Sequence, residues 1–260
     1  MPESKPSIFP TLVALLFMLG LFFLVVKSFQ SLDYEWDFRF LGPYIWDSVA
    51  NRPGIMLQGL WGTLKISFQS ICLGTLLGTA VGFLLQVREP VTRVATLCYV
   101  DLFRNTPVLV QLYVMYFVVG TAFDMSAESA GVLTLSLFCS AYIADIVRGT
   151  LVNFDVGQRD AAKAVGLNDF DIARLIVLPQ ALRRMLPPLV GQFVSLVKDS
   201  SLVSVISILE LTKAALNVVA VSFRSFETWF LIAFLYLVLN TIVSTCGRWL
   251  ENRLSESLHA

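Results

Sequence analysis

The sequence predicts an all-α polytopic membrane protein of about six transmembrane helices. Three observations carry that expectation. Of the 260 residues, 56% are hydrophobic and only 15% are charged, where soluble domains sit at about 45–50% and about 25%. Mean hydropathy is +0.73. Apolar runs recur along the chain at lengths that can cross a bilayer, which takes roughly 17 residues or more. A core of this kind is built of spans packed on one another, not of a water-excluding globule.

The first run, 8–26, is preceded by Glu3 and Lys5 and followed by Lys27-Ser28-Phe29-Gln30. Mixed charge before it and no small-residue cleavage site after it favour a retained span over a signal peptide. Segment 28–57 is polar and aromatic; Tyr34, Trp36, Tyr44 and Trp46 suit a membrane interface. The second span, 57–85, repeats Gly74, Gly78 and Gly82 at four-residue spacing. Such a ridge lets another helix of the same subunit approach closely. Lys65 lies near the outer end of this span and is expected to snorkel to the headgroups. Arg88 and Arg93 bracket Pro90. The third span, 94–119, is interrupted near Asp101, Arg104, Asn105 and Pro107. The fourth covers 131–147, the fifth 189–209 and the sixth 228–250. Glu210 and Lys213, after the fifth, would either meet a protein partner on the outer side or gate the outer mouth, and the sequence does not choose between the two.

Between the fourth and fifth spans lies a polar stretch, 153–180. Asp155, with Gln158 three residues on, reads as a capping box. Ala161, Ala164 and Val165 share one helix face. Gly166 stops that helix and Asn168 caps the next. Phe170, Ala173 and Val177 supply the second helix's apolar face, and Pro179 ends it. The expected element is a pair of short amphipathic helices joined by Gly166-Leu167-Asn168-Asp169. Counting charges with both termini inside puts 12 Lys and Arg on the inner side against 5 outside, so the pair faces the cytoplasm.

Several functions are excluded. A net charge of +0 gives nucleic-acid binding no electrostatic support. Cys72, Cys98, Cys139 and Cys246 lie in apolar runs without a CxxC pair and read as small buried hydrophobes. His259 reads as solvated. There is no nucleophile–base arrangement, metal cluster or phosphate-binding glycine loop, so no catalytic residue, metal or cofactor is expected in this chain. Any ATP would be hydrolysed by another chain.

The polar stretch resembles the EAA loop of ATP-binding-cassette (ABC) importer permeases. Ala161, Ala162, Gly166, Ile176, Leu178 and Pro179 match its pattern, and Asp160 stands where the pattern has Glu. Other stretches are similar to the polar amino acid branch of these permeases. They are Gly-Leu-Trp-Gly-Thr-Leu-Lys-Ile-Ser at 59–67, Asp-Leu-Phe-Arg-Asn-Thr-Pro-Val-Leu-Val-Gln-Leu at 101–112, and Ala-Tyr-Ile-Ala-Asp-Ile-Val-Arg-Gly at 141–149. Pro-Gln-Ala-Leu-Arg at 179–183 and Lys-Asp-Ser-Ser-Leu-Val-Ser-Val-Ile at 198–206 complete the match. Asn105 replaces a family Gly, and Asp145 a family Glu. The resemblance covers about 57–255.

It implies the ABC type I importer permease fold over 57–252, with a coupling loop at 153–180. An extra N-terminal span and outer loop occupy 1–56, and a cytoplasmic tail 253–260. It further implies a multi-pass protein of the cell inner membrane with both termini cytoplasmic. A second permease subunit, the same or a different chain, would complete the pathway. Two ATPase subunits would bind ATP and Mg, and a periplasmic binding protein would deliver a polar amino acid. Asp160, Ala161, Ala162, Gly166, Leu167 and Phe170 would meet the ATPase, with Arg159 and Arg174 near its acidic groups. Charges within spans cost about 2.5–3.5 kcal/mol each on insertion scales, so they pair, face a watery cavity or cap a helix break. Lys198, Asp199, Ser200 and Ser201, with Asp101, Arg104 and Gln111, are the expected substrate pathway. The alternative is an ion-gradient-driven secondary transporter or channel, which broken spans also suit. An intramembrane enzyme finds no support in the residues.

Overall fold

The computed structural model describes residues 8–31 and 34–256; Glu3, Lys5 and His259 lie outside them. The chain divides into two compact units, Met1–Arg39 and Phe40–Ala260. In the first, helix α1 (Ile8–Ser31) contains the expected first span. The rings of Tyr34 and Trp36 meet edge to face at 5.2 Å, and Trp36 stacks on Phe38 at 6.1 Å.

The second unit opens with a single helical turn, Gly42–Ile45, and a minimal antiparallel hairpin, β1 (Trp46–Asp47) with β2 (Arg52–Pro53). Eight helices follow: α2 (Ile55–Leu84), α3 (Pro90–Asn105), α4 (Val108–Gly120), α5 (Ala127–Val152), α6 (Val156–Ala164), α7 (Asp169–Ile206), α8 (Leu211–Ser222) and α9 (Ser225–Glu256). Among the described residues, α2, α5, α7 and α9 are each long and apolar enough to cross a membrane. The bent pair α3–α4 makes a fifth if it counts as one span.

The main seam is α2 on α5. A Cβ added at Gly78 would lie 2.6 Å from the Ser140 carbonyl oxygen, and one at Gly82 2.6 Å from Cβ of Val147. Only hydrogen fits at these points, so the glycine ridge packs inside one subunit, as expected. Ile66, Leu135, Cys139 and Ile143 fill this seam and continue into Leu112, Leu196 and Val203 of the neighbouring helices. Gly247 of α9 plays the same part against Val190 of α7.

The expected interruption of the third span is a sharp bend: α3 and α4 meet at 106°. Pro107 disfavours the helical conformation at the residue before it, and Thr106 is extended, with φ −112° and ψ 142°. Four other features differ from expectation. Pro179 does not end a helix, because α7 runs unbroken from Asp169 to Ile206. A π-helical stretch, Ile172–Val177, ends two residues before Pro179, and this local adjustment accommodates the missing amide and the ring. Helix α8 was not expected. Lys65 does more than snorkel: its Nζ lies 2.5 Å from Oε1 of Glu128. Of the cysteines only Cys139 is buried; the others sit on outward faces, where a bilayer would cover them.

Candidate functional site

The paired-helix knuckle is built by local signals. Asp155 caps α6, its Oδ1 accepting from the Gly157 amide at 2.8 Å. Gln158 does not return to complete a capping box. Its Oε1 instead accepts from Nε2 of Gln180 at 2.7 Å, bracing α6 to α7. Gly166 adopts φ +88°, open to glycine and strained for other residues. The left-handed turn lets the Leu167 amide reach the Ala162 carbonyl at 3.2 Å. Asn168 then caps α7, its Oδ1 accepting from the Asp171 amide at 2.9 Å.

The knuckle's buried face is turned from the expected one. Ala162, not Ala161, Ala164 or Val165, is buried, joining Phe154, Ile172 and Val177 in a small cluster flanked by Leu167 and Ile176. The expected partners Phe170 and Ala173 point outward. Geometry explains this: α6 packs back on Phe154 and on the π-helical stretch, so the face towards α7 is set by Ala162. Phe154 is gripped by two cations, with Arg159 and Arg184 centred 5.5 and 5.4 Å from its ring. Lys163 pairs with Asp169 across the turn at 3.4 Å. Phe170 and Leu175 stand 70% and 60% exposed, large apolar side chains on a polar protrusion. Asp160, Ala161 and Arg174 are exposed, and Arg159 is half-buried.

The second site is the interior break between α3 and α4. Nε2 of Gln111 donates to the carbonyls of Phe103 (2.8 Å) and Thr106 (3.0 Å), and lies 2.8 Å from Oγ1 of Thr106. The amide thus ties off backbone groups freed by the bend. Its Oε1 is buried with no hydrogen-bond partner. Arg104 does not pair with Asp101; its Nη1 meets Oδ2 of Asp145 on α5 at 2.7 Å, with the guanidinium 5.3 Å from the Tyr142 ring. Asp101 is exposed. Lys198 and Asp199 end the α-helical part of α7, Lys198 exposed and Asp199 half-buried; the 3₁₀ stretch Ser200–Ile206 follows. Ser200 is fully buried, its Oγ donating to the Val197 carbonyl at 2.8 Å. Ser201 is half-buried. Leu112 of α4 and Val203 of α7 belong to one core, so the two breaks are neighbours.

Sequence reading missed a polar junction at the start of α8. Glu210 is fully buried. Its Oε1 accepts from the Lys213 amide (2.7 Å), and its Oε2 from the Thr212 amide (2.9 Å) and the Tyr236 hydroxyl (2.8 Å). The Leu211 amide donates to Oγ1 of Thr63 at 3.1 Å. The junction therefore ties α2, α8 and α9 together. A carboxylate just before an apolar run was the available signal. Among the described residues no group of three or more acidic, His or Cys side chains could hold a metal.

Comparison with known proteins follows the same outline. The family described as "binding-protein-dependent transport system inner membrane component" matches residues 70–256. The chain is 34% identical over 212 residues to the glutamine transport system permease protein GlnP of Escherichia coli K12, covering 80% of this chain and 97% of that one. It is 33% identical over 206 residues to the octopine transport system permease protein OccM of Rhizobium radiobacter, covering 75% and 84%. A crystal structure of an amino acid ABC transporter with histidines superposes with a TM-score of 0.76 at 31% identity, over 85% of this chain and 100% of that one.

Proposed function

The chain belongs to the binding-protein-dependent transport system inner membrane components, and on that premise we propose that it is the membrane-spanning permease subunit of an ABC importer for a polar amino acid. ATP is hydrolysed by two separate ATPase subunits, substrate arrives on a periplasmic binding protein, and a second permease subunit completes the pathway. The knuckle faces the cytoplasm, as the charge count favours, and both termini lie on that side.

One observation carries the coupling role: a clamped helix pair that presents Phe170 and Leu175 bare at its surface. Asp155, Gly166 and Asn168 fix its shape, the Phe154 cluster anchors it, and the Gln158–Gln180 bond splints it to α7. A rigid knuckle continuous with a spanning helix can carry a push at its tip into that span. Phe170 is the anchor for a groove on the ATPase, with Asp160, Ala161, Arg159 and Arg174 around it. Substrate passes where α4 and the 3₁₀ end of α7 meet. Arg104, Gln111 and Asp199 offer the charge and hydrogen-bonding groups an amino acid needs, with Asp101, Lys198, Ser200 and Ser201 around them.

The test is ATP-driven uptake in proteoliposomes with the ATPase and binding protein. Phe170→Ala is expected to abolish uptake and release the ATPase while leaving folding intact. Undiminished uptake, or uptake driven by an ion gradient without ATPase, would sink the reading.

A further inference from the structure

A further feature is built from residues of neither site. Where α2 ends, a cavity of about 330 Å³ opens between the 85–89 turn, the start of α3 and the last turns of α5. Arg88, Arg93 and Arg148 all line it, and no acidic residue does. Among the described residues none of the three forms an ion pair. The nearest acid in sequence, Glu89, is committed elsewhere: its two oxygens accept from the Val91 and Thr92 amides at 2.9 and 2.6 Å, capping α3. Three exposed arginines lining one pocket without a counter-charge make it a place that favours an anion.

The surroundings identify the anion's carrier. Leu85, Val87, Leu97 and Val152 share the cavity wall with the arginines. Val87 and Val152 stand exposed in that wall, and Val91 and Val94 stand exposed on the first turns of α3, a valine collar that water would not favour. Helix α2 has 30 residues and so rises about 45 Å. That matches the roughly 40–45 Å of a bilayer counted with its headgroup layers, which puts the end of α2 at headgroup depth. We propose that this three-arginine cavity binds the phosphate of an anionic glycerophospholipid, whose acyl chains lie along the valine collar. Basic pockets between spanning helices suit such headgroups, and the planar guanidinium grips phosphate oxygens in pairs.

The test is native mass spectrometry of the purified full chain in maltoside micelles, titrated with phosphatidylglycerol or phosphatidylcholine of the same acyl chains. Phosphatidylglycerol is expected to be retained preferentially, with affinity falling about fivefold per arginine removed across Arg88→Gln, Arg93→Gln and their pair. The Arg88→Lys/Arg93→Lys chain should keep most of the preference, and Arg52→Gln, at the β1–β2 hairpin, all of it. Equal retention of the two lipids, or an unchanged preference in the double Gln variant, overturns the proposal. So does displacement of the lipid by excess inorganic phosphate, which marks a site for a soluble anion. A double Gln variant that retains lipid but loses the ATPase assigns the arginines to a protein partner, and that too overturns it. None of these outcomes depends on the coupling role of the knuckle.

Discussion

At Gly62 the α2 backbone touches the Leu209 carbonyl so closely that a Cβ there would lie 2.1 Å from its oxygen. Neither partner is a flexible side-chain tip, so Gly62→Ala must displace backbone at the Glu210 junction. Overpacking of that kind costs about 1–3 kcal/mol. Gly149, with nothing within 4 Å of an added Cβ, is the control: Gly149→Ala should be neutral or slightly stabilising. Thermal unfolding in detergent separates the two, and equal melting temperatures would remove the junction's claim to be tightly packed. The Arg104–Asp145 pair poses the opposite case. Its side chains are 36% and 38% exposed, and an ion pair that open contributes only about 1 kcal/mol or less to stability. Arg104→Gln is therefore expected to leave the melting temperature nearly unchanged while lowering uptake. A large loss of stability with normal uptake of the folded fraction would make the pair structural.

Helices were legible where their signals are local, and not where a partner across the fold decides. Asp155, Gly166 and Asn168 each act within a few residues, and each does what its type and position led one to expect. The buried face of the knuckle was misread because Phe154 and the π-helical stretch, elements on either side of it, select Ala162. Helix α8 was missed because its 12 residues are too few to span, and its cap, Glu210, is satisfied in part by Tyr236, 26 residues away. For Arg104 the sequence left open a pair, a watery cavity or a helix break, because its ion-pair partner, Asp145, lies on α5 and is set by the fold. One element makes a pH prediction. Glu89 sits in the turn before α3, and the Thr92 side chain, with the Thr92 and Val91 amides, holds its carboxyl below the usual 4.5. Since the folded-state value is depressed, the cap's contribution is fully present above pH 4.5 and declines as pH falls through the lower folded value. Amide exchange at Val91 and Thr92 should quicken at the acid end of that window, and Glu89→Gln should flatten the dependence. A pH-independent exchange rate in the native chain would show the cap to be idle.

For the molecule as a whole, the continuity of α7 matters most. Sequence reading divided 153–209 into two short helices and a separate span, with a stop at Pro179. The single helix Asp169–Ile206 instead begins in the knuckle and ends in the 3₁₀ stretch beside the α3–α4 break. Motion of the tip therefore has a direct route to Ser200–Ile206, with no flexible linker to absorb it. That continuity depends on the π-helical stretch before Pro179 and on the Gln158–Gln180 splint. Gln180→Ala removes the splint without touching the tip or the interior site. If force passes along α7, ATPase binding should persist in this variant while nucleotide turnover loses its link to uptake, so that more ATP is spent per amino acid moved. Phe170→Ala should differ in kind: an exposed aromatic anchor of an interface is worth about 2 kcal/mol or more, so its loss should weaken ATPase association itself. A chain with Asn168→Cys and its native cysteines replaced should react with an impermeant thiol reagent only from the cytoplasmic side, which fixes the direction of the stroke. If Gln180→Ala and Phe170→Ala gave the same defect, or the Asn168→Cys thiol reacted from outside, the tip and the shaft would not be parts of one lever.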